Sequence, residues 1–192
     1  MNMKNIKTVK IPVHYAVAKI IKENFIAESV LDVGGVGSLG SFLDCSVTDA
    51  NIKNGIDGCN LPYEDNSFDV SCSIATLEHV NNQAKFLKES IRVAKKGIVH
   101  WFPYGKAAIE EEEFRKTLPN KHPSVVPSKQ LIEGFMKLYP TFKLFEYISC
   151  QGHLLLLTIL YPNLRIASVY DRAIEFGREM YGVILYGKLG NG

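Results

Sequence analysis

The sequence predicts a doubly wound α/β fold, a mostly parallel sheet with helices on both faces, in a single domain spanning residues 1–192. Two observations carry this. Short apolar runs alternate with amphipathic stretches through the first hundred residues, and strands separated by helices pair in parallel through right-handed crossovers. The chain is also long enough, at 192 residues with 46% hydrophobic side chains, to bury a substantial core.

Taken in order, residues 1–28 form an N-terminal segment whose Val17, Ile20, Ile21 and Phe25 repeat at helical spacing over 14–27. An apolar strand over 29–33 follows, ending in Asp32-Val33. A glycine-rich turn then leads into a short helix over 38–43 opening at Ser38. A second strand over 45–49 runs into the polar loop Asn51–Gly55. Residues 68–73 read as a strand, 82–94 as a helix turning Phe86, Leu87 and Ile91 inward, and 97–102 as another strand. Four prolines (103, 119, 123 and 127) mark 103–127 as an irregular excursion holding a short helix over 108–117. Ser128 is placed to cap a helix over 129–138. Strands over 142–149, continuing through 153–160, and over 182–188 finish the chain, with a helix over 164–178 between them.

Composition narrows the function. A net charge of +2 argues for neither nucleic acid nor a membrane surface as partner. Cys45, Cys59, Cys72 and Cys150 lie far apart with no C-x-x-C pair, which favours reduced thiols, a cytoplasmic setting and no metal site. Lysines at 4, 7 and 10 precede no apolar h-region, so no signal peptide is expected. The most hydrophobic run, Leu154–Tyr161, is far too short to span a bilayer, and no membrane insertion is expected.

The most informative stretch is Val30-Leu31-Asp32-Val33-Gly34-Gly35-Val36-Gly37-Ser38-Leu39-Gly40. Glycines there let the backbone approach a ligand closely, and the following helix N-terminus favours negative charge. Further on come Asp57-Gly58-Cys59-Asn60-Leu61-Pro62-Tyr63-Glu64-Asp65-Asn66-Ser67-Phe68-Asp69-Val70 and Ala75-Thr76-Leu77-Glu78-His79-Val80. In that order the three blocks resemble the class I S-adenosylmethionine-dependent methyltransferases, in particular their small type 11 group. The resemblance covers about residues 25–105 by motif and the rest by element order. It implies a Rossmann-like, seven-stranded sheet with an antiparallel last strand inserted beside the fifth.

The resemblance also implies roles. Asp32 orders the amino-acid end of S-adenosyl-L-methionine, while Gly34, Gly35 and Gly37 pass beneath the cofactor. Asp49 or Asn51 holds the ribose hydroxyls, Asp57 meets the adenine amino group with Gly58 beside the ring, and Ser73 joins the cofactor contacts. The turn departs from the family's D-x-G-x-G-x-G, with Val36 and Ser38 at the later glycine positions. Leu61-Pro62 and Phe68-Asp69 read as packing and turn chemistry.

Methyl transfer from a sulfonium needs alignment above all, and a general base only where the nucleophile carries a proton of high pKa. Candidates are His79, which heads them as the catalytic residue, His100, Tyr104, His122 and His153. Residues 103–127, with Tyr104, Phe114 and His122, are expected to act as a lid and, with His79, to choose the acceptor, a small molecule or sugar. A cofactor-binding but inactive regulatory module is the alternative. The literal G-x-G-x-x-G of Gly35–Gly40 also admits a nicotinamide-dependent oxidoreductase, although Asp49 comes early for its acidic residue. RNA methylation is a weaker reading, since no basic stripe with interleaved aromatics is evident.

Overall fold

The computed structural model describes residues 13–117, 123–150 and 179–190. Six strands form one sheet: β1 (Ser29–Val33), β2 (Ser46–Ala50), β3 (Phe68–Ile74), β4 (Ala94–Pro103), β5 (Lys143–Cys150) and β6 (Glu179–Lys188). Their spatial order is β2-β1-β3-β4-β6-β5. β2, β1, β3 and β4 run parallel, while β6 lies antiparallel between β4 and β5. The doubly wound reading and the inserted antiparallel last strand are both present.

The described residues hold six of the seven strands expected, and 51–67 fold as a 3-10 turn and successive loops. The short helix after the glycine turn is likewise a four-residue 3-10 turn, Leu39–Phe42, and Ser38 makes no side-chain cap to it. One turn accumulates no macrodipole, so the expected attraction of anions to its N-terminus has no basis here. The expected strand over 153–160 and helix over 164–178 lie outside the described residues, as do His122 and His153.

Alternation along the strands sorts the core into two layers. Val30, Val70, Cys72, Val99, Trp101 and Ile184 face α1 (Val13–Asn24) and its Val17, Ile20 and Ile21. Leu31, Val33, Ile98, Phe102 and Leu185 face Phe86 and Leu87 of α2 (Gln83–Val93) and Ile132 and Phe135 of α4 (Lys129–Leu138). The predicted helical spacing of α1 holds, but the helix stops at Asn24, three residues short. Asn24 Nδ2 donates to the Ile20 carbonyl at 2.8 Å, competing with the helix for its own acceptor. Phe25 then turns its ring onto Gly97, where a Cβ would come within 2.4 Å of Phe25 Cε1. Ser128 caps α4 as predicted, accepting from Leu131 N–H at 3.2 Å.

The Leu61–Phe68 block is a clasp. Arg92 Nη1 donates to the Tyr63 carbonyl (2.7 Å) and to Asp65 (2.9 Å), and Nη2 donates to the Leu61 carbonyl (3.0 Å). Glu89 grips the same guanidinium through both oxygens (2.9 and 2.7 Å) and accepts from Leu61 N–H at 2.9 Å. Asp69 similarly accepts from Glu28 N–H at 2.7 Å and pairs with Lys96 at 2.9 Å. These motif residues fasten the entry to β3. Removing the Arg92 fork strands two carbonyls and the Glu89 carboxylate and releases the exposed Asp65, so Arg92→Met is expected to cost about 2–4 kcal/mol. Urea denaturation of both proteins checks this; a loss below about 0.5 kcal/mol would refute the clasp.

Candidate active site

The carboxyl ends of β1, β2 and β3 open onto a cavity of about 540 Å³, well within the range of small-ligand sites. This is where ligands bind in an open parallel sheet. Of the residues singled out from the sequence, Gly34, Asn51, Asp57, Gly58 and His79 stand on its wall, together with Val36, Ile52, Thr76 and Asn81.

Asp32 and Asp49 lie just behind that wall. They sit side by side in the β1–β2 register, and the glycine turn folds down over them. Gly34 takes φ +89°, with its N–H on the Ala50 carbonyl at 2.6 Å, and a Cβ there would strike Thr76 Oγ1 at 2.2 Å. A Cβ at Gly35 would lie 2.5 Å from both Asp32 Oδ2 and Asp49 Oδ1. The glycines thus let the backbone rest on two carboxyl groups. Gly37, at φ +87°, turns the chain away and gives its N–H to Asp49.

The pair is electrostatically unsatisfied. Asp32 is 3% exposed, and burial together with the Asp49 charge pushes it up to about 7. Asp49 is also raised by burial, and its Oδ1 is buried with no hydrogen-bond partner. Two neighbouring carboxyls with an unused acceptor suit a ligand that brings a cationic or multiply donating group.

Asn51 is committed to the scaffold. Its Nδ2 donates to the Gly35 carbonyl at 2.8 Å, and its Oδ1 accepts from Asn54 N–H at 3.1 Å. Asp57 stands exposed on the wall, its Oδ1 accepting from Cys59 N–H at 2.8 Å. A Cβ on Gly58 would meet the Phe86 ring at 2.8 Å. Gly40 is different: a Cβ there would make only an ordinary 3.8 Å contact with Val47. The third glycine of a dinucleotide motif exists for close helix–strand packing, and here that need is missing.

Ser73 does not reach the cavity. It is fully buried and hydrogen-bonded to His100 Nδ1 at 2.8 Å. Burial pushes His100 down to about 3, so it is a neutral core imidazole against Phe86. Tyr104 packs edge-to-face on Phe102 and is absent from the wall. His79 is therefore the candidate base that the described structure brings to the site.

The turn carrying His79 ties down the end of the proline-rich excursion. His79 Nδ1 is 2.9 Å from the Pro123 carbonyl, Val125 N–H donates to the Glu78 carbonyl at 2.7 Å, and Gln83 Nε2 donates to the Val125 carbonyl at 2.7 Å. Ala75, at φ +51° on the cavity wall, holds a left-handed conformation that costs an alanine about 1 kcal/mol or more. Sequence reasoning gave Glu78 no role. A glutamate beside histidine reads as solvent-exposed, yet Glu78 is 5% exposed, and burial drives its carboxyl up to about 7.

Residues 45–102 match the family model described as Methyltransferase domain. Over 41 residues the chain is 49% identical to norajmaline N-methyltransferase of Rauvolfia serpentina, a stretch making up 21% of this chain and 14% of that protein. Among solved structures, the YcgJ protein of Bacillus subtilis matches with a TM-score of 0.58 at 14% identity, over 93% of this chain and 100% of that one. Phosphoethanolamine N-methyltransferase 2 of Haemonchus contortus, solved with S-adenosyl-L-methionine, matches with a TM-score of 0.54 at 13% identity, over 90% of this chain and 52% of that one. At such identities the structural likenesses establish the fold.

Proposed function

We propose that this chain, which carries the Methyltransferase domain signature on a class I methyltransferase fold, binds S-adenosyl-L-methionine and transfers its methyl group to a small-molecule acceptor. The observation that carries this reading is the carboxyl pair beneath the glycine turn, whose buried Asp49 Oδ1 lacks a partner. The cofactor brings an ammonium and a ribose diol, the donor set this acceptor-rich corner can use.

The remaining wall fits the rest of the ligand. Asp57 offers a carboxylate beside Gly58, and the exposed apolar side chains of Val36 (58%) and Ile52 (76%) flank the same opening, suiting the flat face of a purine. Bound there, the cofactor supplies an electrophilic methyl group on a good leaving group. Asp32, Asp49 and the glycine turn would hold one end, Asp57 and Gly58 the other, and His79 lines the wall where an acceptor could enter. In-line displacement then depends on alignment and on excluding water. The stretch shared with a protein named norajmaline N-methyltransferase supports a small acceptor. A small acceptor also agrees with the near-neutral charge. No helix among the described residues is long and apolar enough to cross a membrane.

Calorimetry tests the reading. S-adenosylmethionine and S-adenosylhomocysteine are expected to bind and NAD is not. Ligand at about a hundred times its dissociation constant should stabilise the fold by about 2.7 kcal/mol. Binding of NAD with neither methionine-derived ligand would replace this reading by the oxidoreductase one. Binding without turnover across a broad acceptor panel would favour the regulatory module.

A further inference from the structure

We propose that Glu78 and His79 form a single proton-holding pair on the cavity wall, in which His79 Nε2 takes the proton of an N–H or O–H acceptor and Glu78 is the positioning residue that balances the resulting charge. This rests on the methyl-transfer reading above.

The argument begins with the tautomer. His79 Nδ1 faces the Pro123 carbonyl at 2.9 Å. A carbonyl only accepts, so Nδ1 carries the proton and donates it. In the neutral ring Nε2 is then the lone-pair nitrogen. That nitrogen lies 3.9 Å from Glu78 Oε1, an ion-pair distance whenever the imidazole is charged. The two side chains are consecutive on the 3-10 turn Leu77–His79, yet they differ in setting. His79 is partly exposed on the wall, while Glu78 is buried behind it.

The Glu78 carboxyl is only partly satisfied: it accepts from its own backbone N–H, while its Oε2 is buried with no hydrogen-bond partner, and such a buried, unused acceptor is costly. The charged groups facing it are His79 on its own turn and, from α3 (Lys106–Arg115), Glu112 and Arg115; Glu112 raises its pKa and Arg115 lowers it. Burial dominates and brings the carboxyl up to about 7, so near neutrality its acid and anion forms are both populated. An anionic carboxylate at that distance favours the charged form of a neighbouring imidazole.

The chemistry balances without a further reagent. When an amine or hydroxyl gains a methyl group, its X–H bond breaks and the proton must leave. The Nε2 lone pair forms the new N–H bond, and the anionic Glu78 neutralises the imidazolium. Solvent then removes the proton through the exposed edge of His79.

The test uses the full chain labelled with 13C at the glutamate carboxyl carbon, with Glu78→Gln identifying the resonance. Glu78 is expected to titrate near neutrality, and to move up by about 0.5 pH unit or more in His79→Gln, which removes the cationic partner. Glu112→Gln is expected to move it down, because that repulsion is lost. An unchanged Glu78 titration in His79→Gln overturns the pair. Calorimetry with S-adenosylhomocysteine separates the two claims. Coupling without that binding leaves the proton pair standing and removes the methyl-transfer reading; binding without coupling removes the pair alone.

Discussion

Gly35→Ala is expected to abolish S-adenosylhomocysteine binding, weakening it by at least a hundredfold, and to destabilise the ligand-free fold by about 1–3 kcal/mol. The cause is space, since Gly35 has no positive φ to protect. A methyl group there lies 2.5 Å from one oxygen of Asp32 and one of Asp49 and 2.6 Å from Asp32 Cγ, all far inside van der Waals contact. Asp32 is buried and cannot swing away, and the turn is pinned from the other side by Asn51 on the Gly35 carbonyl. The turn must therefore lift, which separates the carboxyl pair from the cavity wall. Gly40→Ala is the control. With its ordinary 3.8 Å contact to Val47, it should bind normally and change stability by less than about 1 kcal/mol. Calorimetry and urea denaturation on both variants decide it. Normal binding by Gly35→Ala would show that the carboxyl pair takes no part in the site.

Asp32→Asn is expected to act in opposite directions on stability and on binding. The Asp32 carboxyl is held up to about 7 in the fold, against 3.8 as its ordinary value. Between those limits the folded chain binds a proton that the unfolded chain does not, so stability falls as pH rises from about 4 to about 7 and stays low above. The three-unit span sets a ceiling of about 4 kcal/mol. An asparagine does not ionise, so at pH 8 the variant should be more stable than the wild type by about 1–3 kcal/mol, the difference shrinking towards pH 4. Glu78, raised for the same reason, keeps part of the pH dependence in both proteins. Binding should weaken by tenfold or more, because the charged partner of the ammonium is gone. Thermal melts across pH 4–8 with calorimetry at pH 8 check both signs. A variant less stable than the wild type at pH 8 would show that Asp32 is well satisfied in the fold.

Such a trade of stability for function is what a buried, unsatisfied carboxyl pair at a ligand site produces. The strained Ala75 on the same wall belongs to the same pattern.

The sequence by itself determined the sheet and pointed to the place of the candidate site. Apolar runs a few residues long, separated by amphipathic ones, leave little choice but parallel strands with crossovers, because alternation and helical period are local properties. Asp32 and the glycines were legible as a turn for the same reason: they occupy consecutive positions. The Leu61–Asp69 block was legible as packing chemistry, and Arg92 shows why.

What only the tertiary structure decided were relations between residues distant in sequence. Asn51 stands on the cavity wall, but no local pattern states that its amide also holds the Gly35 carbonyl, sixteen positions away. Ser73 lies on β3, a strand of the site, yet does not reach the cavity, because its hydroxyl is fully buried against His100 of the neighbouring strand. Glu78 was invisible because a charged side chain between a buried leucine and an exposed histidine gives no sign of burial. Burial is conferred by what packs over a residue, here α3 and the returning segment at Val125, and those contacts exist only once the chain has folded.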